Sequence, residues 1–134
     1  AAGEGGCFAA TVPGRVQPVL LRVLALGDGH YACTGAMWAG REVRQGPTAR
    51  VAWDGVEAIV ASAPVQALDP GALACVGAAP DDYDVLSLKS SVHYRAAFGP
   101  WAQRILNVDA HRAPGQAAAA PVYRRLRPGV AALP

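Results

Sequence analysis

The first half of the chain carries apolar runs of strand length separated by turn sequences. From Gln17 to Leu26 the residues are apolar and β-branched enough for a strand, and the apolar pattern resumes in His30–Cys33. Asp28-Gly29 lies between these runs, and Asp-Gly is typical of a tight hairpin turn because both central positions adopt positive φ. The pattern therefore predicts an antiparallel β-hairpin.

A second Asp-Gly pair predicts a second hairpin. Arg50–Trp53 fits a short strand, Asp54-Gly55 the turn, and Val56–Ser62 the returning strand. A Gly-rich segment, residues 35–47, joins the two hairpins. The first half is therefore predicted to be antiparallel β-structure.

Helical patterns replace the strand patterns after the second hairpin. Asp69-Pro70 is typical of an N-cap followed by proline at the first helical position, and it predicts a short helix over residues 70–76. Further along, four apolar side chains recur at i, i+3, i+4 and i+7 and so line one face of a helix: Tyr94, Ala97, Phe98 and Trp101. Gly99-Pro100 predicts a kink or break there, because a proline ring clashes with the carbonyl four residues earlier.

Short apolar runs flank this second helix. Val85–Leu88 and Arg104–Val108 are predicted to be strands, and a strand–helix–strand succession resembles a βαβ unit with parallel strands. The sequence thus predicts a single α+β domain over residues 16–110, with antiparallel β-hairpins followed by a strand–helix–strand unit. Residues 1–15 are predicted to be a loop or linker remnant, and residues 111–134 an irregular C-terminal tail.

Composition restricts the class of protein. Of the 134 residues 52% are hydrophobic and 16% charged, which excludes a disordered chain, and no apolar run approaches the roughly 20 residues that span a bilayer. The net charge is +2 and only Arg124, Arg125 and Arg127 are locally basic, so neither nucleic acid nor a membrane is an expected partner. Three widely spaced cysteines predict free thiols in a cytoplasmic protein rather than disulfides or a zinc site.

One dense group of polar side chains lies where a predicted strand ends and the second helix begins: Lys89, Ser90, Ser91, His93 and Arg95. The first turn of a helix presents unpaired N–H groups, so this group predicts a binding site for an anionic or polar ligand group. The alternative is structural: the serines cap the helix, Lys89 is solvated, and Arg95 pairs with an acid. Spacing alone leaves both interpretations open.

The same segment resembles part of a known family. Residues 89–98, which read KSSVHYRAAF, resemble the KSxxHFRAAF segment of microcystinase C (MlrC)-like metallopeptidases. Further similar blocks follow the family's order over about residues 3–134: residues 28–31 with residues 35–40, residues 46–51, the spaced set Ser62, Gln66 and Asp69, residues 107–110, and residues 123–128. Each block is weak alone, but the ordered set is specific.

The resemblance implies that this chain is only the C-terminal domain of such an enzyme. The family hydrolyses peptides with zinc, which a missing N-terminal metallopeptidase domain would hold, so we expect no metal or catalytic residue in this chain. The N-terminal domain and a peptide substrate are the implied partners. We expect Lys89, Ser90, Ser91, His93 and Arg95 to bind substrate, and the isolated chain to be inactive. An autonomous non-catalytic binding or scaffold domain is the alternative.

Overall fold

Two antiparallel sheets organise the protein. The structure is a computed structural model that describes residues 3–90 and 93–108. Its strands, in chain order, are β1 Cys7–Ala10, β2 Val19–Gly27, β3 His30–Ala32, β4 Glu42–Arg44, β5 Thr48–Trp53 and β6 Val56–Ala61. The larger sheet has the order β1-β2-β5-β6, and the smaller sheet pairs β3 with β4.

The second predicted hairpin is confirmed. β5 and β6 pair antiparallel, with Trp53 opposite Val56 across the turn. Asp54 and Gly55 have φ of 45° and 76°, so both central positions occupy the left-handed region that this turn requires. Because the turn and both strands are contiguous, local chemistry was sufficient to predict this hairpin.

The first predicted hairpin is wrong, because Asp28-Gly29 connects two different sheets. β2 pairs with β1 and β5, and β3 pairs only with β4. Of the two turn residues only Gly29 has a positive φ, at 69°, so the tight hairpin turn does not form. Asp28 Oδ1 instead accepts a hydrogen bond from the N–H of His30 at 2.9 Å, and the Gly29 carbonyl accepts one from Gln45 at 2.9 Å. The chain therefore leaves the larger sheet here.

Part of the predicted N-terminal linker is also a strand. β1 lies within residues 1–15 and pairs along its length with β2, so Phe8 faces Leu21. The ladder extends further, because Gly5 donates its N–H to the Val23 carbonyl at 2.9 Å. The loop prediction for residues 7–10 is therefore wrong. The local sequence of these residues does not indicate a strand, but they become one by pairing with the backbone at the edge of β2.

The helices are short. α1 is Gly71–Ala74, α2 is Tyr94–Phe98, and a 3-10 turn over Gly99–Trp101 follows α2 directly. The predicted break at Gly99-Pro100 is therefore confirmed. Within the two described ranges, no helix combines the length and apolar character needed to cross a membrane.

The α+β class and the single small domain are confirmed, but the two strands predicted beside α2 are wrong. Residues 85–88 and 104–108 form no strand, and Val85 and Val108 are exposed. The connection between the two runs, residues 89–103, is long enough for a parallel crossover, but neither run pairs with a strand of either described sheet, so no βαβ unit forms. The predicted bounds at residues 16 and 110 stay predictions, and the predicted tail at 111–134 lies outside the described residues.

The core consists of two clusters on opposite sides of the larger sheet. The first contains Tyr31, Cys33, Ala72, Leu73, Ala78, Ala97 and Phe98, with Ile59 of β6 packed against it. The second is built around Leu21, Val23 and Val51. In the β5–β6 ladder Val51 lies opposite Ala58, so Ile59 projects from the other face of the sheet. Both helices therefore pack on the Ile59 side.

Candidate functional site

The predicted polar group lies on the surface immediately before and within α2. Lys89 and His93 are exposed, and Ser90 is half-buried. Among the described residues the Ser90 hydroxyl oxygen is buried and has no hydrogen-bond partner. Ser91 lies outside the described residues. The segment therefore presents a cationic side chain and an imidazole to solvent on either side of a hydroxyl group.

Ser90 does not cap α2 as the structural alternative supposed. α2 begins at Tyr94, and its N-cap is His93, whose side chain makes no capping hydrogen bond. Serine hydroxyls often cap helices, but Ser90 lies three residues before this N-cap. Since α2 is a five-residue helix, its dipole is small, and attraction for an anion would come mainly from Lys89.

Arg95 links α2 to the segment that follows the 3-10 turn by a hydrogen bond. Arg95 Nη2 donates to Asn107 Oδ1 at 3.1 Å, and the Tyr94 hydroxyl donates to the same oxygen at 2.9 Å. The guanidinium carbon also lies 5.4 Å from the centre of the Tyr94 ring. A guanidinium has five N–H donors, so this link leaves several free for another acceptor.

A buried carboxylate positions the loop that contacts α2. Asp69 is 1% exposed, and it accepts three backbone N–H groups: Thr34 at 3.0 Å, Gly35 at 2.6 Å and Gly71 at 2.9 Å. The sequence predicts only the local bond at the start of the helix. The two bonds to the loop after β3 join residues more than 30 positions apart, and they fix that loop to the start of α1.

This loop packs directly on α2. A Cβ placed on Gly35 would lie 3.1 Å from the Ala97 Cβ and 2.9 Å from Asp69 Oδ2. Gly35 therefore fills a space that a larger side chain cannot occupy without displacing α2. Asp69, the loop and α2 form one connected unit, and this unit positions the helix that carries Arg95.

A second buried side chain joins the two sheets to α1. Gln45 Nε2 lies 3.3 Å from Thr48 Oγ1, 3.4 Å from the Ala72 carbonyl and 3.3 Å from Cys75 Sγ. Gln45 was not predicted, because no local pattern marks a lone glutamine in a Gly-rich segment. Asn107 was not predicted either, although residues 107–110 form one of the blocks that resemble the family.

The buried titratable groups under α2 are poor candidates for acid–base or nucleophilic chemistry. Burial raises the pKa of Tyr31 to about 12, with smaller contributions from Cys33 and Asp69. Burial, followed by the nearby Asp69 charge, also raises the pKa of the Cys33 thiol. Both groups are therefore neutral near neutral pH, and a thiol rather than a thiolate is a weak nucleophile.

The described residues do not fit a hydrolytic zinc centre. Such a centre needs three protein ligands and an open position, and within residues 3–90 and 93–108 no three His, Cys, Asp or Glu side chains are grouped to hold a metal. His30 lies in the smaller sheet, where its Nε2 contacts a carboxylate oxygen of Glu42 across the β3–β4 ladder.

Comparison with known proteins identifies the class. The family model described as "MlrC C-terminus" matches residues 1–125. The chain therefore belongs to the MlrC C-terminal family, and the resemblance seen in the sequence is confirmed.

A solved structure supports the same relationship. The fold is similar to the crystal structure of a protein from Mesorhizobium sp. BNC1 named "Putative metallopeptidase", with a TM-score of 0.66 and 25% identity. The match covers 76% of this chain and 22% of that protein. This chain thus spans less than a quarter of the related protein's length. No curated protein matches it significantly.

Proposed function

We propose that this chain is the C-terminal accessory domain of a zinc-dependent peptidase related to microcystinase C, with the catalytic zinc held in an N-terminal domain. Membership of the MlrC C-terminal family over residues 1–125 carries the proposal. The name of the related Mesorhizobium protein supports peptidase chemistry, and most of that protein's length lies outside the matched part. Three free thiols support a reducing compartment such as the cytoplasm.

In this proposal the polar group before and within α2 binds a polar or anionic part of a peptide substrate: Lys89, Ser90, Ser91, His93 and Arg95. Lys89 is exposed and supplies a point charge. Arg95 has spare donors beyond its bond to Asn107, and a guanidinium can bind a carboxylate through two parallel hydrogen bonds. The contacts of Gly35 with Asp69 and Ala97 position α2, which carries Arg95 and begins directly after His93.

The experiment is kinetic and uses the whole polypeptide that contains this domain. Lys89→Ala and His93→Ala should each lower kcat/KM about ten-fold or more while Tm changes little, because both side chains are exposed. Arg44→Ala is the matched control, since it removes an exposed cation from β4. If His93→Ala lowers Tm and leaves the specific activity intact, the segment is structural and the binding proposal fails.

An autonomous binding or scaffold domain is the second candidate, and it is favoured by apolar side chains of the larger sheet that stay exposed among the described residues: Phe8, Val56 and Val60. Separate expression of the two domains distinguishes the candidates. An accessory domain should restore peptidase activity when it is mixed with an inactive N-terminal domain. Full activity of the N-terminal domain alone would favour the autonomous binding domain.

A further inference from the structure

Asn107 holds the Arg95 side chain without neutralising its charge. Asn107 Oδ1 accepts hydrogen bonds from Arg95 Nη2 at 3.1 Å and from the Tyr94 hydroxyl at 2.9 Å. A guanidinium only donates, so the amide must turn its oxygen rather than its NH2 group towards Arg95. The Tyr94 ring, 5.4 Å from the guanidinium carbon, is a second uncharged contact. Arg95 is therefore held in place and keeps its full positive charge.

The link from Asn107 to Arg95 is anchored in the core. Tyr94 packs against the buried cluster that contains Ala97 and Phe98, and its hydroxyl reaches out to Asn107. The amide thus has one contact with a side chain that the core positions and another with the exposed guanidinium. This chain of contacts restricts Arg95 before any ligand arrives.

The arrangement differs from an ordinary surface ion pair. Arg15, by comparison, lies 3.1 Å from the carboxylate of Asp54. Within residues 3–90 and 93–108, Arg95 forms no ion pair with a carboxylate. A purely structural link would be stronger with aspartate at position 107, which has nearly the same shape as asparagine and the opposite charge to a guanidinium. Asparagine gives up that strength and leaves the positive charge available to a ligand.

We propose that Asn107 is a positioning residue that holds Arg95 for a carboxylate group of the peptide substrate. The bond to Asn107 uses one of the five N–H donors of Arg95. Two parallel N–H groups of a guanidinium fit the two oxygens of a carboxylate. A side chain that is already restricted loses less rotamer freedom on binding, which favours the complex. The ligand is therefore a peptide with a carboxylate at its C-terminus or on an acidic side chain.

This inference rests on the proposed function, since it names the substrate group that is bound beside α2. It adds Asn107 and the Tyr94 hydroxyl, neither of which belongs to the predicted binding group. It also assigns the selectivity to the charge of Arg95, so a neutral isostere of the carboxylate should bind more weakly.

The test measures the binding of four peptides to the whole polypeptide that contains this domain. Alanine pentapeptides carry glutamate or glutamine at the third position, each with a free or an amidated C-terminus. Calorimetry at low ionic strength, where charges are least screened, gives the four Kd values. The wild type should bind at least one carboxylate peptide about five-fold more tightly than the amidated glutamine peptide. Preference for the free C-terminus assigns the ligand to the terminal carboxylate, and preference for glutamate assigns it to the side chain.

Asn107→Asp distinguishes a positioning role from a structural one. The carboxylate preference should fall to about two-fold or less, because the new carboxylate neutralises Arg95. Tm should not fall, because an ion pair replaces the hydrogen bond. Gln103→Glu is the matched control: it adds a carboxylate at an exposed position of the same segment and should leave the preference in place. Asn107→Ala should have a smaller effect than Asn107→Asp, since Arg95 loses a contact but keeps its charge.

Two kinds of result would overturn the inference. One is a wild type that binds all four peptides equally or binds none of them. The other is a carboxylate preference that survives Asn107→Asp or is lost in Gln103→Glu. Cleavage is scored separately, by the release of new amino groups. Absence of peptidase activity would count against the proposed function, and the Kd comparison would still decide the role of Asn107.

Discussion

Gly35 donates its backbone N–H to the buried carboxylate of Asp69 at 2.6 Å, across 34 positions of sequence. The contact also requires a residue without a side chain at position 35, because Asp69 and Ala97 occupy the space where a Cβ would lie. This contact connects the loop after β3, the start of α1 and the face of α2. The position of α2, which carries Arg95, depends on it.

Asp69→Ala should lower the free energy of unfolding by about 2–4 kcal/mol, because three backbone donors lose a charged acceptor. Urea unfolding measures the change. Asp84→Ala removes an exposed carboxylate and is the control, with an expected change within about 0.5 kcal/mol. Equal effects of the two substitutions would show that the Asp69 bonds contribute no net stability.

Phe98 and Trp101 share the predicted helix face but differ in burial. Phe98→Ala should cost about 3–5 kcal/mol because Phe98 lies in the core beside Ala97. Trp101 is 44% exposed despite its place on that face, so Trp101→Ala should cost clearly less. Chemical denaturation of both variants under one condition tests the order. A larger loss for Trp101→Ala would contradict the burial that the structure shows.

Gly29→Ala should be strongly destabilising for two separable reasons. At φ of 69° a Cβ is strained by about 1–2 kcal/mol, and here it would also lie 2.1 Å from the Gly46 carbonyl oxygen. Gly14→Ala is the matched control, because Gly14 has φ of 83° but open space around it. Thermal unfolding should therefore show a larger drop in Tm for Gly29→Ala. Similar drops would mean that backbone strain alone decides the outcome.

Stability should fall in strongly alkaline solution. Tyr31 has a pKa of about 12 in the folded protein, above the value of 10.0 for the free side chain. Its neutral form therefore stabilises the fold below pH 10, and that contribution is lost as the pH rises towards 12. The expected loss is about 1–1.5 kcal/mol at pH 11 and about 2–3 kcal/mol once the pH exceeds 12. The raised pKa of Cys33 contributes in the same direction.

Urea unfolding between pH 8 and pH 11 measures this dependence. Tyr31→Phe should flatten the alkaline decline, whereas Tyr94→Phe, which keeps Tyr31, should leave it in place. An unchanged decline in Tyr31→Phe would assign the pH dependence to another group.

Local patterns predicted the features whose partners are close in sequence. The Asp54-Gly55 turn directly joins the two strands that pair, so its backbone preference also sets their register. The break after Phe98 follows from Pro100 in the same way, since the clash acts within one helical turn. Family membership was also readable, because the resembling blocks keep their order along the chain.

At Asp28-Gly29 the local sequence does not determine which strands pair. The dipeptide is the same as at the Asp54-Gly55 turn, but the predicted hairpin does not form, because Gly29 packs against Gly46 and the chain crosses to the smaller sheet. β1 gave no strand signal of its own, and it is a strand because the edge of β2 offered unpaired backbone groups.

The sequence by itself determined the α+β class, the family, one hairpin, the helix break and the polar group before and within α2. Only the tertiary structure decided which strands pair, that Asp69 holds the loop against α2, and that apolar side chains from all four strands share one face of the larger sheet. The physical reason is distance along the chain. Turn and helix preferences act over a few residues, whereas strand pairing and burial depend on residues that only the complete fold brings together.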